Sequence, residues 1–158
     1  MADIETIWVP DESIGDWTLA GADLAAGGDL ANAILISVFT DRTALVDDFI
    51  PDGTGDPRGW WGDGNRTVPS MPQGASNVPI GSRLWLLSRA KQNDETLKRA
   101  YDYLNECLQW LITDGVVAYF DVYVEWTRRS MLGAQVTAHK PNGTTQVTAF
   151  QWAWNGIS

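Results

Sequence analysis

The pattern of apolar and polar positions changes its period at Gly115. Before it, Leu97, Tyr101, Leu104, Leu108 and Leu111 recur at spacings of three and four, while Lys98, Arg99, Asp102 and Glu106 fall mostly on the opposite side. That stripe predicts an amphipathic helix, capped by Asn93 and ending before Gly115, which packs one face on a sheet. After Gly115 the period is two. Val116, Ala118, Phe120, Val122, Val124 and Trp126 alternate with Tyr119, Asp121, Tyr123, Glu125 and Thr127, the signature of a half-buried strand. Further strands over about 132–139 and 145–153 flank Pro141-Asn142-Gly143-Thr144, where Asn-Gly is expected to supply the positive φ angles of a tight hairpin. The C-terminal third therefore reads as a three-stranded antiparallel meander.

The N-terminal part is less regular. Ile7-Trp8-Val9, stopped by Pro10, and Trp17-Thr18-Leu19-Ala20 form two short apolar runs that suit a small hairpin. Asp29 precedes Leu30, Ala33, Ile34, Leu35, Ile36 and Val38, a set that covers most of a helix surface and predicts a largely buried helix with Asp29 as N-cap. Ser82 is placed to cap a short helix that turns Leu84, Trp85 and Leu87 inward. The expected fold class is thus α+β: a small N-terminal hairpin, three helices and the meander packed on them, in a single domain spanning 1–158. From about 41 to 80 periodicity disappears and Pro and Gly recur, a loop length that in a compact domain usually signals function or ordering by a partner.

Charge narrows the partners. Twenty acidic residues against 11 Lys and Arg give a formal net charge of −9, so a nucleic acid backbone would be repelled. No basic start followed by an apolar run opens the chain, and no stretch approaches the ~18 consecutive apolar residues of a membrane span, so neither secretion nor a membrane is expected. Cys107 is the only cysteine, which leaves no intramolecular disulfide and suits a reducing cytoplasm. The Asn65-Arg66-Thr67 and Asn142-Gly143-Thr144 sequons read as turns.

Chemistry is sparse. His139 is the only histidine, so the nitrogen and sulfur ligand sets of zinc cannot be assembled. A Ser-His-Asp arrangement would have to use this residue beside a hairpin turn, with no Gly-x-Ser-x-Gly elbow to present a nucleophile. Ser88-Arg89-Ala90-Lys91 matches a Ser-x-x-Lys pattern without its companion elements and reads as a polar rim at a helix end. Asp47, Asp48, Asp52, Asp56 and Asp63 do not follow the EF-hand order, and read as solvated carboxylates or partners for Arg58. No catalytic residue, cofactor or metal is expected, and the chain is not expected to be an enzyme. Among nine tryptophans, Trp85 and Trp126 lie on patterned elements and suit the core, whereas Trp60 and Trp61 sit in the loop.

Taken in order, Asp41-Arg42, Asp47-Asp48, Pro51-Asp52-Gly53, Arg58-Gly59-Trp60-Trp61-Gly62-Asp63, Gly81-Ser82-Arg83-Leu84-Trp85-Leu86-Leu87 and Arg89-Ala90-Lys91 resemble the Mu-type phage tail protein family. Glu95-Thr96-Leu97, Trp110-Leu111 and Asp114-Gly115-Val116 carry the likeness over nearly the whole chain, although the stretch 65–79 is longer and richer in proline than the family pattern. The family is similar to the sheath initiator, or small wedge subunit, of T-even phage baseplates. The resemblance implies a structural protein of a contractile tail baseplate, present as six copies around the tail axis and resident in the virion after synthesis in the bacterial host cytoplasm. Its implied partners are larger baseplate wedge proteins, the tail sheath, which would begin to assemble on its sheet edges, and the tail tube. In that setting Arg58, Gly59, Trp60, Trp61, Gly62, Asp63, Gly81, Ser82 and Arg83 are the candidates for ordering the loop or meeting a partner. The competing expectation, motivated by the loop indoles and carboxylates, is a carbohydrate-binding or cell-wall-degrading tail module.

Overall fold

The computed structural model describes residues 6–11, 14–17, 19–20, 23–24, 29–60 and 79–153. Two hairpins come first: β1 (Thr6–Val9) pairs antiparallel with β2 (Ile14–Trp17), and β3 (Leu19–Ala20) with β4 (Asp23–Leu24). Helix α1 (Asp29–Phe39) follows, then the loop, a 3-10 helix (Leu84–Leu87) and the long helix α2 (Asp94–Thr113). The chain ends in an antiparallel sheet ordered β5 (Tyr119–Arg128), β6 (Met131–His139), β7 (Thr145–Ala153). The α+β class, the N-terminal hairpin and the C-terminal meander are as expected.

Three details differ. The first hairpin pairs Ile7 with Asp16 and Val9 with Ile14, so the second arm lies earlier than the 17–20 run, because the chain already turns at Pro10-Asp11. Among the described residues there are two α-helices rather than three helices of that kind, since the segment after Ser82 makes only a single 3-10 turn. Its N-cap position is Arg83, with no side-chain cap bond, because the Ser82 hydroxyl donates instead to the Val38 carbonyl at the end of α1. At the 140–144 hairpin only Gly143 has positive φ, at 86°. Its N–H closes a turn on the Lys140 carbonyl, and the Asn142 side chain accepts from the Thr144 N–H and hydroxyl, so Asn142 acts through its side chain rather than its backbone.

Helix α2 carries the core. The Asn93 side chain caps it by accepting from the Thr96 N–H at 2.9 Å. Leu104, Leu108 and Leu111 are buried as the stripe predicts, joined by Ala100, Tyr103 and Cys107. Tyr101 is instead 44% exposed, because the buried arc centres on 100, 104 and 107–108 and position 101 falls beyond its edge. Burial pushes the Cys107 thiol pKa well up and removes it from thiolate chemistry. Facing α2, Leu132, Ala134, Val136, Ala138 and Phe150 line the inner side of the sheet, with Phe120, Val122, Val124 and Trp126 packed partly against them. The strand starts later than the alternation suggests. Val116 and Val117 both donate their N–H to the Leu111 carbonyl, so the turn that ends α2 exposes Val116 and buries Val117.

Helix α1 contributes Leu30, Ile34 and Val38, but Ile36 is 47% exposed and the polar Asn32 and Ser37 are buried in its place. Ser37 is satisfied on both sides: its hydroxyl donates to the Ala33 carbonyl and accepts from Trp110 Nε1 at 2.9 Å. Trp8 stacks on Phe39 with ring centres 3.6 Å apart and donates from Nε1 to the Gln151 carbonyl, pinning β1 to α1 and β7. Trp85 and Trp126 belong to the core or its margin, as expected.

The position of the buried arc can be tested directly. Leu104→Ala should lower unfolding free energy by roughly 2–5 kcal/mol in urea denaturation, while Tyr101→Ala should stay within about 0.5 kcal/mol of wild type.

Candidate functional site

The loop after α1 is anchored at both ends by backbone pairing. Asp41 and Ser82 form a parallel bridge, in which Ser82 N–H donates to the Thr40 carbonyl and Arg42 N–H to the Ser82 carbonyl, at 2.9 and 3.0 Å. Gly81 makes this approach possible: at φ 98°, a Cβ there would lie 2.3 Å from the Thr40 oxygen. Farther along, Ala44 N–H donates to the Pro57 carbonyl at 2.8 Å. Gly59, at φ 111°, passes so close to Thr43 that a Cβ would meet its hydroxyl oxygen at 2.1 Å. Gly81 is therefore required by close backbone approach, and Gly59 by its positive φ and the Thr43 side chain packed against it.

Two arginines fill the space so defined. Arg83 Nε and Nη2 form a fork on the two oxygens of Glu106 at 2.9 and 2.7 Å, and Nη1 reaches both oxygens of Asp48 at 3.1 and 2.9 Å. Its guanidinium also lies 4.7 Å from the centre of the Tyr103 ring. One side chain thereby joins the loop to the middle of α2. The Glu106 bonds raise the Arg83 pKa against the opposing effect of partial burial, and Asp48 adds to the rise. Arg42 approaches the same Glu106 oxygen at 3.5 Å.

Arg58 is the shallower of the pair. It donates to Asp41 at 2.9 Å and to Asp52 at 3.3 Å, lies 4.5 Å from the centre of the buried Trp85 ring, and itself takes up φ 52°. Partial burial works against its charge, but Asp41 and Asp52 outweigh it and raise its pKa. Trp85 Nε1 in turn donates to the Arg42 carbonyl at 2.8 Å. Asp52 accepts from the Thr54 N–H and hydroxyl at 3.0 and 2.7 Å, bonds that with Arg58 hold its carboxyl below its ordinary 3.8.

The candidates Arg58, Gly59, Gly81, Ser82 and Arg83 are thus brought together around the loop, and the arginine forks close within this chain. Trp60 is 42% exposed at its margin. Trp61, Gly62 and Asp63, and the proline-rich stretch as far as 78, lie outside the described residues. Glu106 and Tyr103 escaped sequence reasoning because they sit on α2, where a polar-face glutamate carries no local mark of a distant arginine. Asp48, Asp41 and Asp52 were visible as motif residues, and their density beside two arginines was the available signal.

Other candidate chemistry is placed as follows. His139 Nε2 meets Asp121 at 2.7 Å and its ring stacks on Tyr119, with Asp121 exposed on the outer side of the sheet rather than in a cleft. Ser88 follows the 3-10 helix and Lys91 is exposed, which fits a polar rim. No group of three or more His, Cys, Asp or Glu side chains suited to a metal occurs among the described residues. No helix among them is long and apolar enough to cross a membrane.

Removing the two arginines should have unequal effects. Arg83→Ala, which strands Asp48 and Glu106, is expected to cost about 3 kcal/mol in urea unfolding, the low end for a broken buried pair. Arg58→Ala should cost under ~1 kcal/mol overall and act locally, as faster amide exchange at Ala44. The depressed Asp52 pKa sets a sign for pH. Its contribution to loop order is present above the unfolded carboxylate range and is lost as pH falls through the lowered folded value, so NMR titration should place the Asp52 midpoint below 3.8.

The family model described as Phage protein GP46 matches residues 30–145, which takes in both arginine clusters and most of the sheet. "Baseplate protein gp46" of Escherichia phage Mu is 40% identical over 157 residues, covering 99% of this chain and 100% of the relative. "Mu-like prophage FluMu protein gp46" of Haemophilus influenzae is 34% identical over 155 residues, covering 98% and 99%. The resemblance carried by the Arg58 and Gly81 motifs is borne out, and the chain belongs to the phage protein GP46 family.

Proposed function

We propose that this protein is a non-enzymatic structural subunit of a phage tail baseplate, which joins larger wedge subunits and lends a sheet edge on which the contractile sheath begins to assemble. The name of the Mu relative supports the baseplate setting. The observation that carries the finer reading is the outer edge of β5. In the sheet order β5-β6-β7, this ten-residue strand pairs only with β6 among the described residues, and the Gln151 carbonyl of β7 already accepts from Trp8. Lys140 N–H donates to the Thr144 carbonyl, so Lys140 faces β7 and the neighbouring His139 faces β5 opposite Tyr119; by antiparallel alternation the N–H groups of Phe120, Val122 and Val124 face the open edge. An extended arm of a neighbouring subunit can satisfy them by β-augmentation. Six copies of the chain around the tail axis would present six such edges in a ring, with the tube inside it.

The carbohydrate reading needs a platform of exposed indoles. Among the described residues Trp60 offers one ring, 42% exposed, but Trp85 is buried, and Trp8, Trp110 and Trp126 pack partly against the core. The packed rings are used by the fold, so the observations favour assembly.

Val122→Pro removes one outward N–H without removing a bond to β6. In a phage carrying it, tails are expected to lack sheath while the purified variant stays folded by circular dichroism, and Val122→Ala should assemble normally. Sheathed, contractile tails from the proline variant would refute the proposed edge.

A further inference from the structure

The turn that Arg83 holds at Asp48 carries a feature that neither loop order nor the β5 edge explains. Val46 is fully solvent-exposed at 102% of its reference area, Phe49 is 84% exposed and Leu45 60%. Three large apolar side chains at one turn form a protruding knuckle, not the scattered exposure normal for a surface.

The knuckle is held in shape from below. Ala44 and Ile50 pack partly on the core and Pro51 is buried, so the feet of the turn are planted. Asp48 N–H donates to the Leu45 carbonyl at 3.1 Å, and its Oδ2 accepts from the Leu45 N–H at 2.8 Å while Arg83 holds both its oxygens. The polar framework fixes the backbone, and the tip side chains contribute nothing to it. Such a preorganised apolar tip loses little freedom on docking, the property that makes a few side chains dominate an interface.

We infer that Leu45, Val46 and Phe49 insert into an apolar socket, rimmed by Lys or Arg, on a different protein subunit of the particle; this rests on the baseplate reading above. The charge argument selects the partner. Exposed Asp47 sits at the tip between Val46 and Asp48, in a chain of net charge −9. A basic rim complements that carboxylate, whereas a second copy of this chain or an anionic lipid surface would set like charges together. Within this chain an apolar cleft lined by Trp8, Leu35 and Phe150 also carries Glu125, which makes it a poor socket for the acidic tip.

The test uses the intact phage. A benzophenone amino acid at position 49 is expected to cross-link, in purified tails, to another tail protein at an apolar segment with Lys or Arg alongside. Cross-linking to a second copy or to lipid, or none from a tail that contains the chain, would overturn the inference. The doubly substituted Val46→Ser, Phe49→Ser protein should melt at the wild-type temperature yet enter tails about tenfold less, a shift of roughly 1.4 kcal/mol. Wild-type incorporation would also overturn it. Absence of the wild-type chain from purified tails by mass spectrometry would instead remove the baseplate reading, and the socket with it.

Discussion

The rest of the loop depends on one ionic junction, the Arg83 guanidinium shared between Glu106 of α2 and Asp48 of the loop. The geometry is forked on one side and convergent on the other, and every contact is charge-assisted. Because Arg83 stands just after the Ser82 bridge and just before the 3-10 helix, it transfers the rigidity of the helical core to a segment with no regular structure of its own. A lysine could supply the charge but not the fork. Arg58 repeats the device nearer the solvent, with Trp85 as its floor.

The junction also sorts the motif residues by role. Arginines and glycines that a partner might have been expected to engage are occupied within the chain, where they set backbone course and charge balance. What is left facing outward among the described residues is of another kind: a strand edge without a further strand beside it, and an apolar turn. An exposed apolar turn is unfavourable in water and an open strand edge invites pairing with another chain, which is the basis for proposing that both act against neighbouring subunits. A protein that works by such surfaces needs no pocket lined with converging polar groups.

The elements with long, clean periods were legible in the sequence. Helix α2, its Asn93 cap, β5 and the two strands after it follow from spacing alone. Errors arose where a local signal competed with a distant partner. Ser82 resembles a helix cap, but its hydroxyl serves α1 across 44 residues of chain. Tyr101 lies one position off the arc that the sheet selects, and Val116 yields to Val117 because the end of α2 turns the backbone first. Buried Asn32 and Ser37 on α1 were illegible for the same reason, since the Trp110 indole that serves Ser37 comes from another element. Of the loop, the motif showed which residues matter but not that the arginines turn inward, because the glutamate that fixes Arg83 is 23 residues away.

On the proposed reading, the exposed backbone edge and the apolar turn are completed by neighbouring subunits. A cryo-electron microscopy map of the purified, uncontracted tail tests it most directly. The expected map shows a neighbouring strand hydrogen-bonded along β5 and the Leu45, Val46 and Phe49 side chains buried in another subunit. A map in which the chain is present with both surfaces bathed in solvent would contradict it.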